Sequence, residues 1–455
     1  MKSSRRAIAL LICVISVLLI PCTAFAAEYN LLDPFTAEVE IDGTAHSVRA
    51  YYADYRNNLY LSMKELAEAL RGSKAQIDFA FGTSANDGDY FVINRSEPVA
   101  DSTSEETYET RVDTREAVWL DLKRNRIFYN GADKKYYTYR DTENDLYMNL
   151  TDIQLLLDIT AELKDNGGII LHTEKPFSPD VAKLNADGYF DYINGIVLGD
   201  ATSGEILFSK NMNSCSPVAS TSKLMSYLLI AQAMEEGRVS YTDSVPISQN
   251  AEKLSKSADG IIKMTAGTNI PFSELLSGMM VASSNECALA LAEYVSGSEK
   301  DFVEQMNTKA KELGFKSSVF YNSNGLPVYT ESALSSKRQN MMSAEELFEL
   351  SSIILNYYPS VTEITRNQFV TLPTLEYTTA NSNPLVFNID GVTGLKTGST
   401  KRAGYCLVAS MPMDVGGENH NIVLVILGAE NASERGQMSE ILLRYAMDNI
   451  SLKRT

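Results

Sequence analysis

The sequence predicts an α+β protein with two folded units that follow a short targeting segment. The chain has 455 residues, which is more than one hydrophobic core usually organises. Its first half is rich in strand patterns and contains an internal repeat. Its second half has strand patterns at both ends of a helical middle, which is typical of helices packed on a mostly antiparallel sheet.

The N-terminus has the pattern of a secretory signal peptide. Basic residues are followed by an apolar run over 7–20, then by Pro21 and the small-residue pattern Ala24-Phe25-Ala26. We expect a signal peptide over residues 1–26 and therefore an exported protein. Cys22 leaves a lipoprotein as an alternative, although Pro21 stands where such sites carry a small residue. No later stretch is apolar and long enough to span a bilayer, so no C-terminal membrane anchor is expected.

The charge and the cysteine content exclude several classes of function. The formal net charge of −18 becomes −21 when the three basic residues of the leader are removed (−18 − 3). This balance argues against nucleic acid as a partner and against a cationic membrane-surface anchor. Three cysteines remain after the leader, without the spacing of a disulfide framework or a zinc site, and we expect small buried side chains: Cys215, Cys287 and Cys406.

Residues 28–177 are predicted to form a smaller β-rich α+β domain with a duplicated β-β-α-β module. The segments 57–66 and 144–153 share one apolar pattern. Each continues as a short amphipathic helix and a strand. The domain resembles the stalk or wall-associated modules that are similar to the N-terminal domain of copper amine oxidases, without their copper ligands. We interpret it as a spacer. The predicted helices are 63–70 and 150–159, and the predicted strands include 37–41, 76–79, 90–93, 117–122 and 168–171.

Residues 180–455 follow a Pro-punctuated linker and are predicted to form the larger domain. Two strands, 195–199 and 205–209, are expected to form a hairpin, and a long helix should run from 220 to 236. Two more strands near the C-terminus, 405–410 and 421–427, flank a polar Gly-containing turn. The other predicted elements are helices at 271–280, 286–294, 300–313, 343–355 and 437–447.

Histidine, the usual general base, is poorly placed for catalysis in the larger domain. His46 and His172 belong to the N-terminal domain, and His420 lies in the Gly-rich segment 416–420. A Ser-His-Asp triad would have to take its base from a loop tip or from the other domain. Nucleophilic catalysis in the larger domain would therefore require a different base.

Ser220-Thr221-Ser222-Lys223 supplies a candidate base. Residues three apart on a helix share a face, so the Lys223 amine can reach the Ser220 hydroxyl. The start of a helix also favours a developing anion. Burial beside another cation would allow Lys223 to titrate near neutral pH. For an isolated Ser-x-x-Lys, the alternative is a helix-capping serine with a solvated lysine.

Two further motifs follow in the larger domain. Ser283-Ser284-Asn285 offers a hydroxyl and a carboxamide at a loop between two helices. Lys396-Thr397-Gly398-Ser399 precedes a strand, and Gly394 and Gly398 would let an edge strand lie close to an extended ligand. The order Ser-x-x-Lys, Ser-x-Asn, Lys-Thr-Gly is the signature of penicillin-recognising acyl-transfer enzymes.

On these motifs, the segment from about 189 to 449 resembles the low-molecular-mass D-alanyl-D-alanine carboxypeptidases, the penicillin-binding serine peptidases of family S11. The resemblance implies a β-lactamase/DD-peptidase-like sandwich that removes the terminal D-alanine of peptidoglycan stem peptides. It also implies covalent inhibition by β-lactam antibiotics and a secreted or cell-wall-associated location. No metal and no organic cofactor is expected. Further matching segments are 203–207, 275–279, 324–327 and 404–410.

The resemblance implies a role for each motif residue. Ser220 would be the acylated nucleophile, with Lys223 as its base. Ser283 would relay a proton to the leaving D-alanine, and Asn285 would hold the substrate amide. Lys396 would supply positive charge beside Ser283.

The remaining members of the implied site bind the substrate. Thr397 and Ser399 would line the strand that receives the peptide. The backbone N–H groups of Ser220 and Ser399 would form an oxyanion hole. Arg435, which follows Gly428-Ala429, would bind the terminal carboxylate; its alternative is a solvated arginine at the start of a helix.

Three alternatives remain open at this stage. A class A β-lactamase would need a Glu between the second and third motifs, and the segment 320–327 contains none. A DD-endopeptidase that cuts peptidoglycan crosslinks would use the same site. An inactive wall-binding protein would have no reason to keep all the motif residues. Ser284 replaces the Gly of many relatives, so substrate preference could differ.

Overall fold

The computed structural model describes residues 29–32, 35–53, 58–84, 88–96, 118–129, 132–141, 144–164, 166–328 and 338–452. The chain divides into two compact units, one ending at Pro176 and the other beginning at Phe177. The predicted signal peptide lies outside the described residues. In the part of the chain that is described, no helix combines the length and the apolar character needed to cross a membrane.

The N-terminal unit is built on one large sheet. The two helices among its described residues begin where a strand ends, at Ser62 and Asn149, whose side chains accept hydrogen bonds from the backbone N–H groups of Glu65 and Thr151. These two capping residues occupy equivalent positions in the repeated pattern. The elements are β1 (Tyr29–Leu32), β2 (Phe35–Ile41), β3 (Thr44–Ala53), β4 (Asn58–Ser62), α1 (Met63–Ala69), β5 (Ile77–Ser84), β6 (Gly88–Arg95), β7 (Val118–Tyr129), β8 (Ala132–Arg140), β9 (Leu146–Asn149), α2 (Leu150–Leu157), β10 (Thr160–Leu163) and β11 (Ile169–His172).

The two halves of this unit have the same element order, β-β-β-α-β-β, which has two strands more than the predicted β-β-α-β module. The strand order is β10-β11-β2-β3-β4-β9-β8-β7-β6-β5, and β1 pairs with β7. The closing hairpin of each half joins the other half, because β6 pairs in parallel with β7 and β11 pairs in parallel with β2. Such long-range pairing leaves little trace in a local sequence pattern, which is why the prediction missed strands.

A buried carboxylate links the two halves of the unit where β4 pairs with β9. Asp145 is 2% exposed. One of its oxygens accepts hydrogen bonds from Ser62 Oγ at 2.6 Å and from the Arg49 guanidinium at 3.2 Å. Its other oxygen accepts the backbone N–H of Leu146 at 2.8 Å. Arg49 also forms an ion pair with Glu65.

We expect Asp145→Ala to destabilise the N-terminal unit by about 3 kcal/mol, because it leaves buried donors and a partly buried guanidinium without their acceptor. Urea unfolding followed by tyrosine fluorescence measures this loss. Lys74→Ala is the control, since its pair with Glu174 is about two-thirds exposed on both sides and such pairs contribute roughly 0–1 kcal/mol. Equal unfolding midpoints for the two variants would contradict the assigned role of Asp145.

The C-terminal unit contains a five-stranded antiparallel sheet with the order β13-β12-β22-β21-β20. The predicted hairpin is confirmed, and the two predicted C-terminal strands are confirmed as parts of longer ones. Strand β20, which carries the Lys-Thr-Gly motif, is one of the two edge strands of this sheet. The strands of the unit are β12 (Gly195–Asp200), β13 (Ile206–Lys210), β14 (Ser216–Pro217), β15 (Ser244–Pro246), β16 (Asn269–Pro271), β17 (Met341–Met342), β18 (Phe369–Leu372), β19 (Tyr377–Ala380), β20 (Gly394–Thr400), β21 (Gly404–Val415) and β22 (Glu418–Ala429).

Helices pack on this sheet and on one another around a large apolar core. The predicted helices are confirmed to within a few residues at most ends, and the last helix begins five residues earlier than predicted. Helices α9 and α12 both contact β22, and α4 is surrounded by α7, α8 and α9. The helices are α3 (Val181–Ala186), α4 (Lys223–Glu235), α5 (Gln249–Ser255), α6 (Phe272–Met280), α7 (Asn285–Ser296), α8 (Glu299–Glu312), α9 (Ala344–Tyr357), α10 (Val361–Thr365), α11 (Leu385–Asn388) and α12 (Ala432–Leu452).

Two smaller expectations are corrected. Cys287 and Cys406 are buried as predicted, but Cys215 is exposed, and its thiol lies 3.3 Å from the carbonyl oxygen of Ser317. His420 belongs to β22 rather than to the turn, because β21 and β22 extend beyond their apolar centres. Its Nδ1 lies 2.6 Å from Asp200 Oδ2, which fastens the β12–β13 turn to β22.

Candidate active site

Ser220 lies in a tight turn that leads into α4. Residues Ala219–Ser222 form a 3-10 helix, and the α-helix begins only at Lys223, three residues later than predicted. The hydroxyls of Thr221 and Ser222 donate to the carbonyl oxygens of Val218 and Ala219 at 2.6 and 2.8 Å, which favours the tighter turn. Ala219 has a φ of 47°, an uncommon value for a residue with a side chain. The backbone is therefore held in an unusual conformation immediately before the serine.

Lys223 is completely buried, and its amine points at Ser220. Its Nζ lies 2.8 Å from Ser220 Oγ, 2.9 Å from Asn285 Oδ1 and 2.7 Å from the carbonyl oxygen of Asn324. Burial lowers the pKa of Lys223 from 10.5 to about 7, while Glu286 acts in the opposite direction. At neutral pH a large fraction of the amine is therefore uncharged and able to accept a proton.

The Ser-x-Asn motif lies at the start of α7. Ser284 caps this helix by accepting the backbone N–H of Cys287 at 3.0 Å, and Ser283 before it has a φ of 62°. Asn285 accepts from Lys223 through Oδ1 and donates through Nδ2 to the carbonyl oxygen of Asp259 at 2.9 Å. Ser284, which replaces the Gly of many relatives, is accommodated because its hydroxyl accepts the hydrogen bond that caps α7.

Strand β20, which carries the Lys-Thr-Gly motif, runs directly beside the turn 219–222 that contains Ser220, the candidate nucleophile turn. A Cβ at Gly398 would lie 2.7 Å from the backbone nitrogen of Ser220, so only glycine fits there. A Cβ at Gly394 would lie 2.3 Å from the Thr365 hydroxyl. For Gly394 the expectation that it makes room for a ligand is therefore corrected, since this glycine allows close packing against the protein itself. Gly398 lines the cleft and also allows β20 to approach Ser220. Thr397 Oγ1 donates to Ser382 Oγ at 2.9 Å.

Two further cations lie beside the cleft. Lys396 is 1% exposed, and its Nζ donates to the carbonyl oxygen of Thr397 at 3.0 Å. Burial, then Lys223 and Arg435, hold the pKa of Lys396 well below its usual value. Arg435, in the first turn of α12, is 7% exposed and donates to the carbonyl oxygen of Cys406 at 3.3 Å. Arg435 is thus not the solvated arginine of the alternative interpretation.

These elements surround one cleft with an empty volume of about 800 Å³. Six of the eight predicted site residues line it, and the other two, Lys223 and Lys396, are buried close by. The predicted residues in the lining are Ser220, Ser283, Asn285, Thr397, Ser399 and Arg435, and the rest of the lining is Ile261, Gly325, Leu326, Ser382, Gly398, Thr400 and Tyr405.

Comparison with known proteins identifies the family of this chain. Residues 193–431 match the family model described as D-alanyl-D-alanine carboxypeptidase, which is more than half of the chain. The chain belongs to this family. The D-alanyl-D-alanine carboxypeptidase DacF of Bacillus subtilis is 34% identical over 253 residues, covering 55% of this chain and 61% of the relative. The chain thus spans about three fifths of that relative's length.

Two solved structures share the fold of the C-terminal unit. Penicillin-binding protein 6B of Escherichia coli is 28% identical, with a TM-score of 0.51 over 60% of this chain and 79% of that chain. The peptidoglycan synthesis regulatory factor PBP3 of Streptococcus pneumoniae is 28% identical, with a TM-score of 0.51 over 57% of this chain and 72% of that chain. The predicted fold class is therefore confirmed.

The carboxypeptidase motifs do not include every residue that shapes the cleft. Asn324 contributes its backbone carbonyl oxygen, which accepts from Lys223 and lies 3.4 Å from Ser220 Oγ. Asn340 supports the same region, since its Nδ2 donates to Ser222 Oγ and to the carbonyl oxygen of Asn322, both at 3.0 Å. The sequence identified 324–327 as a segment that matches the family, but it did not predict this role of Asn324. The contact is made by a backbone carbonyl, which every residue type has.

Proposed function

We propose that this protein is a serine-type D-Ala–D-Ala carboxypeptidase that removes the terminal D-alanine of peptidoglycan stem peptides through a Ser220 acyl-enzyme. One observation carries the proposal: the completely buried Lys223 amine lies 2.8 Å from Ser220 Oγ. A neutral lysine at that distance suits the role of general base for a serine nucleophile. Export by the N-terminal signal peptide, to the cell wall or the medium, is part of the same proposal.

The acylation step would begin with Lys223 in its neutral form. Lys223 Nζ takes the proton from Ser220 Oγ, which attacks the carbonyl carbon between the two D-alanines. A C–O bond forms, and the carbonyl oxygen becomes negatively charged. The backbone N–H groups of Ser220 and Ser399 would stabilise this oxyanion, and each such donor contributes about 2.7–4 kcal/mol. The closeness of Gly398 to the Ser220 nitrogen supports this assignment, because it holds strand β20 beside the turn that contains Ser220.

Collapse of the intermediate would then release D-alanine. The C–N bond breaks, and the proton held by Lys223 passes through the Ser283 hydroxyl to the leaving amine. Both Ser220 and Ser283 line the cleft. Water then attacks the ester carbonyl, with Lys223 as base again, and frees Ser220 and the shortened peptide. Every proton taken from serine or water is returned to a leaving group, so no cofactor is required.

Cations would recognise the free carboxylate of the substrate. Arg435 lines the cleft, its Nε is buried without a hydrogen-bond partner among the described residues, and Lys396 lies nearby. Burial lowers the pKa of both groups, so a bound carboxylate would favour their charged forms. Asn285 would hold the peptide amide, and Thr397 with Ser399 would receive the extended backbone.

A fluorescent penicillin tests the proposal directly. The wild-type protein is expected to carry a covalent label on a denaturing gel, because a β-lactam would acylate Ser220 in the same way as the substrate. Ser220→Ala removes the nucleophile and is expected to abolish the label. Ser214→Ala changes an exposed serine that does not line the cleft, retains Ser220 and serves as the matched control, with labelling preserved.

An unlabelled wild-type protein, or undiminished labelling of Ser220→Ala, would exclude the proposed mechanism. Incubation with a pentapeptide ending in D-Ala–D-Ala then distinguishes the activities. Release of free D-alanine supports the carboxypeptidase. Cleavage of crosslinked dimers without release of D-alanine would make the protein an endopeptidase, and rapid turnover of the penicillin would make it a β-lactamase.

A further inference from the structure

Glu286 is a buried acid directly behind the cleft that none of the three motifs includes. It follows Asn285 at the start of α7 and is 0% exposed. A carboxylate is costly to bury without a partner, so a completely buried one requires an explanation. Its surroundings connect it with two parts of the site: the segment 259–262 and Lys223.

The first connection is a set of hydrogen bonds to the backbone of the segment 259–262. Glu286 Oε1 accepts the N–H of Ile261 at 2.9 Å and also the N–H of Ile262. The adjacent Asn285 donates to the carbonyl oxygen of Asp259 at 2.9 Å. Two consecutive residues of α7 therefore fasten this segment, and Ile261 on it lines the cleft while remaining 39% exposed.

The second connection is electrostatic. Glu286 Oε2 is buried and has no hydrogen-bond partner among the described residues, so no direct ion pair neutralises the carboxylate. Asn285, the residue before Glu286, accepts from Lys223 Nζ at 2.9 Å, so the two completely buried charged groups lie on either side of this residue. The charge of Glu286 favours the protonated form of Lys223 and is the largest influence opposing the effect of burial. The other titratable group on α7 that acts on Lys223 is Cys287. On β20, Lys396 faces Lys223 and is itself faced by Arg435.

One acid in the first turn of each of two other helices packed against α4 is engaged elsewhere. Glu299 at the start of α8 accepts from the backbone N–H and the hydroxyl of Ser323, at 3.0 and 2.7 Å. Glu346 on α9 accepts from Ser317 and Ser318 at 2.6 and 2.8 Å. Glu286 is therefore the acid whose position and uncompensated oxygen allow it to act on the lysine.

We propose that Glu286 is a positioning residue with two separable effects: its hydrogen bonds hold the 259–262 wall of the cleft against Asn285, and its negative charge makes Lys223 harder to deprotonate. This inference rests on the proposed function, since it concerns the base of the same acylation step. Glu286 touches neither the nucleophile nor the substrate in this scheme. It tunes the pH at which the serine becomes reactive.

Two substitutions separate the effects. Glu286→Gln keeps an oxygen acceptor for Ile261 and Ile262 but removes the charge. The acylation rate rises with pH as Lys223 loses its proton (the acid limb) and then levels off (the plateau). In Glu286→Gln we expect the acid limb to lie about one pH unit lower, with an unchanged plateau. Well below the limb, where the rate follows the neutral fraction of Lys223, that shift makes the variant about tenfold faster than wild type. Glu286→Asp keeps the charge, but its side chain is one methylene shorter and its hydrogen bonds to Ile261 and Ile262 should weaken. We expect this variant to have a lower plateau and an unchanged acid limb.

The experiment measures acylation by fluorescent penicillin from pH 5 to pH 9 (roughly two units on each side of the Lys223 pKa), on full-length protein whose folding is checked by circular dichroism. Glu293→Gln is the matched control, because this acid lies two turns further along α7 and accepts from Ser248 and Asn250. Its profile should coincide with that of the wild type.

The outcomes separate this inference from the proposed function. A wild-type protein that is never labelled refutes the function itself. A labelled wild type whose acid limb coincides with that of Glu286→Gln refutes the charge effect. Identical behaviour of the Gln and Asp variants refutes the separation into two effects and makes Glu286 a structural residue only. If Glu286→Gln does not fold, the Asp variant still decides, because a shifted limb with the charge retained contradicts the inference.

Discussion

Lys223→Ala is expected to lower the rate of acylation by a fluorescent penicillin about 10³-fold, within the range that removal of a general base usually produces. The amine is 2.8 Å from Ser220 Oγ, and the described residues contain no histidine near the cleft that could replace it. Lys223→Arg should be equally inactive, since a guanidinium remains protonated and cannot accept a proton. The time course of labelling measures both losses.

The same lysine gives the wild-type reaction a defined pH dependence. The pKa of Lys223 is lowered to about 7, so the neutral form, which is the active base, increases as the pH rises through 7. Acylation should therefore slow about tenfold per unit below that value and level off above it. Lys256→Ala, which removes a surface lysine paired with Glu252, is the control and should leave the profile unchanged. A flat profile from pH 5 to pH 9 (roughly two units on each side of 7) would contradict the role of Lys223 as base.

Gly398→Ala is expected to lower acylation about 10²-fold, which is the typical effect of displacing reacting groups by about 1 Å. The added Cβ would lie 2.7 Å from the backbone nitrogen of Ser220 and 2.9 Å from that of Thr221. Neither contact can be relieved by a side-chain rotation, so β20 and the nucleophile turn must separate. The separation moves the N–H of Ser399 away from that of Ser220 and widens the proposed oxyanion hole.

The control for this substitution is Gly436→Ala in helix α12. A Cβ at Gly436 meets nothing within 4 Å, and alanine is favoured over glycine inside a helix by roughly 1 kcal/mol. This variant should be labelled at the wild-type rate and be slightly more stable to heat. Wild-type labelling of Gly398→Ala would show that the strand does not need its close approach to Ser220.

Much of the candidate site could be predicted from the sequence because its members occur in short motifs. Ser220 and Lys223 are three residues apart, so one turn of backbone brings their side chains together whatever surrounds them. The absence of a usable histidine pointed to the lysine, and the order of the three motifs gave the family. The chemistry of such motifs depends on residues close together in the chain, so the linear sequence is enough to recognise it.

What the sequence by itself determined was the two-unit organisation, the α+β class of the larger unit and the identity of eight candidate site residues. Only the tertiary structure decided the environment of each of these residues. Burial of Lys223 depends on helices and strands far apart in the chain, and so do the carbonyl of Asn324, the glycine contact at Gly398 and the charge of Glu286. The pairing of each closing hairpin of the N-terminal unit with the other half could not be predicted for the same reason. Desolvation and long-range pairing arise from neighbours in space, and a sequence pattern records only neighbours along the chain.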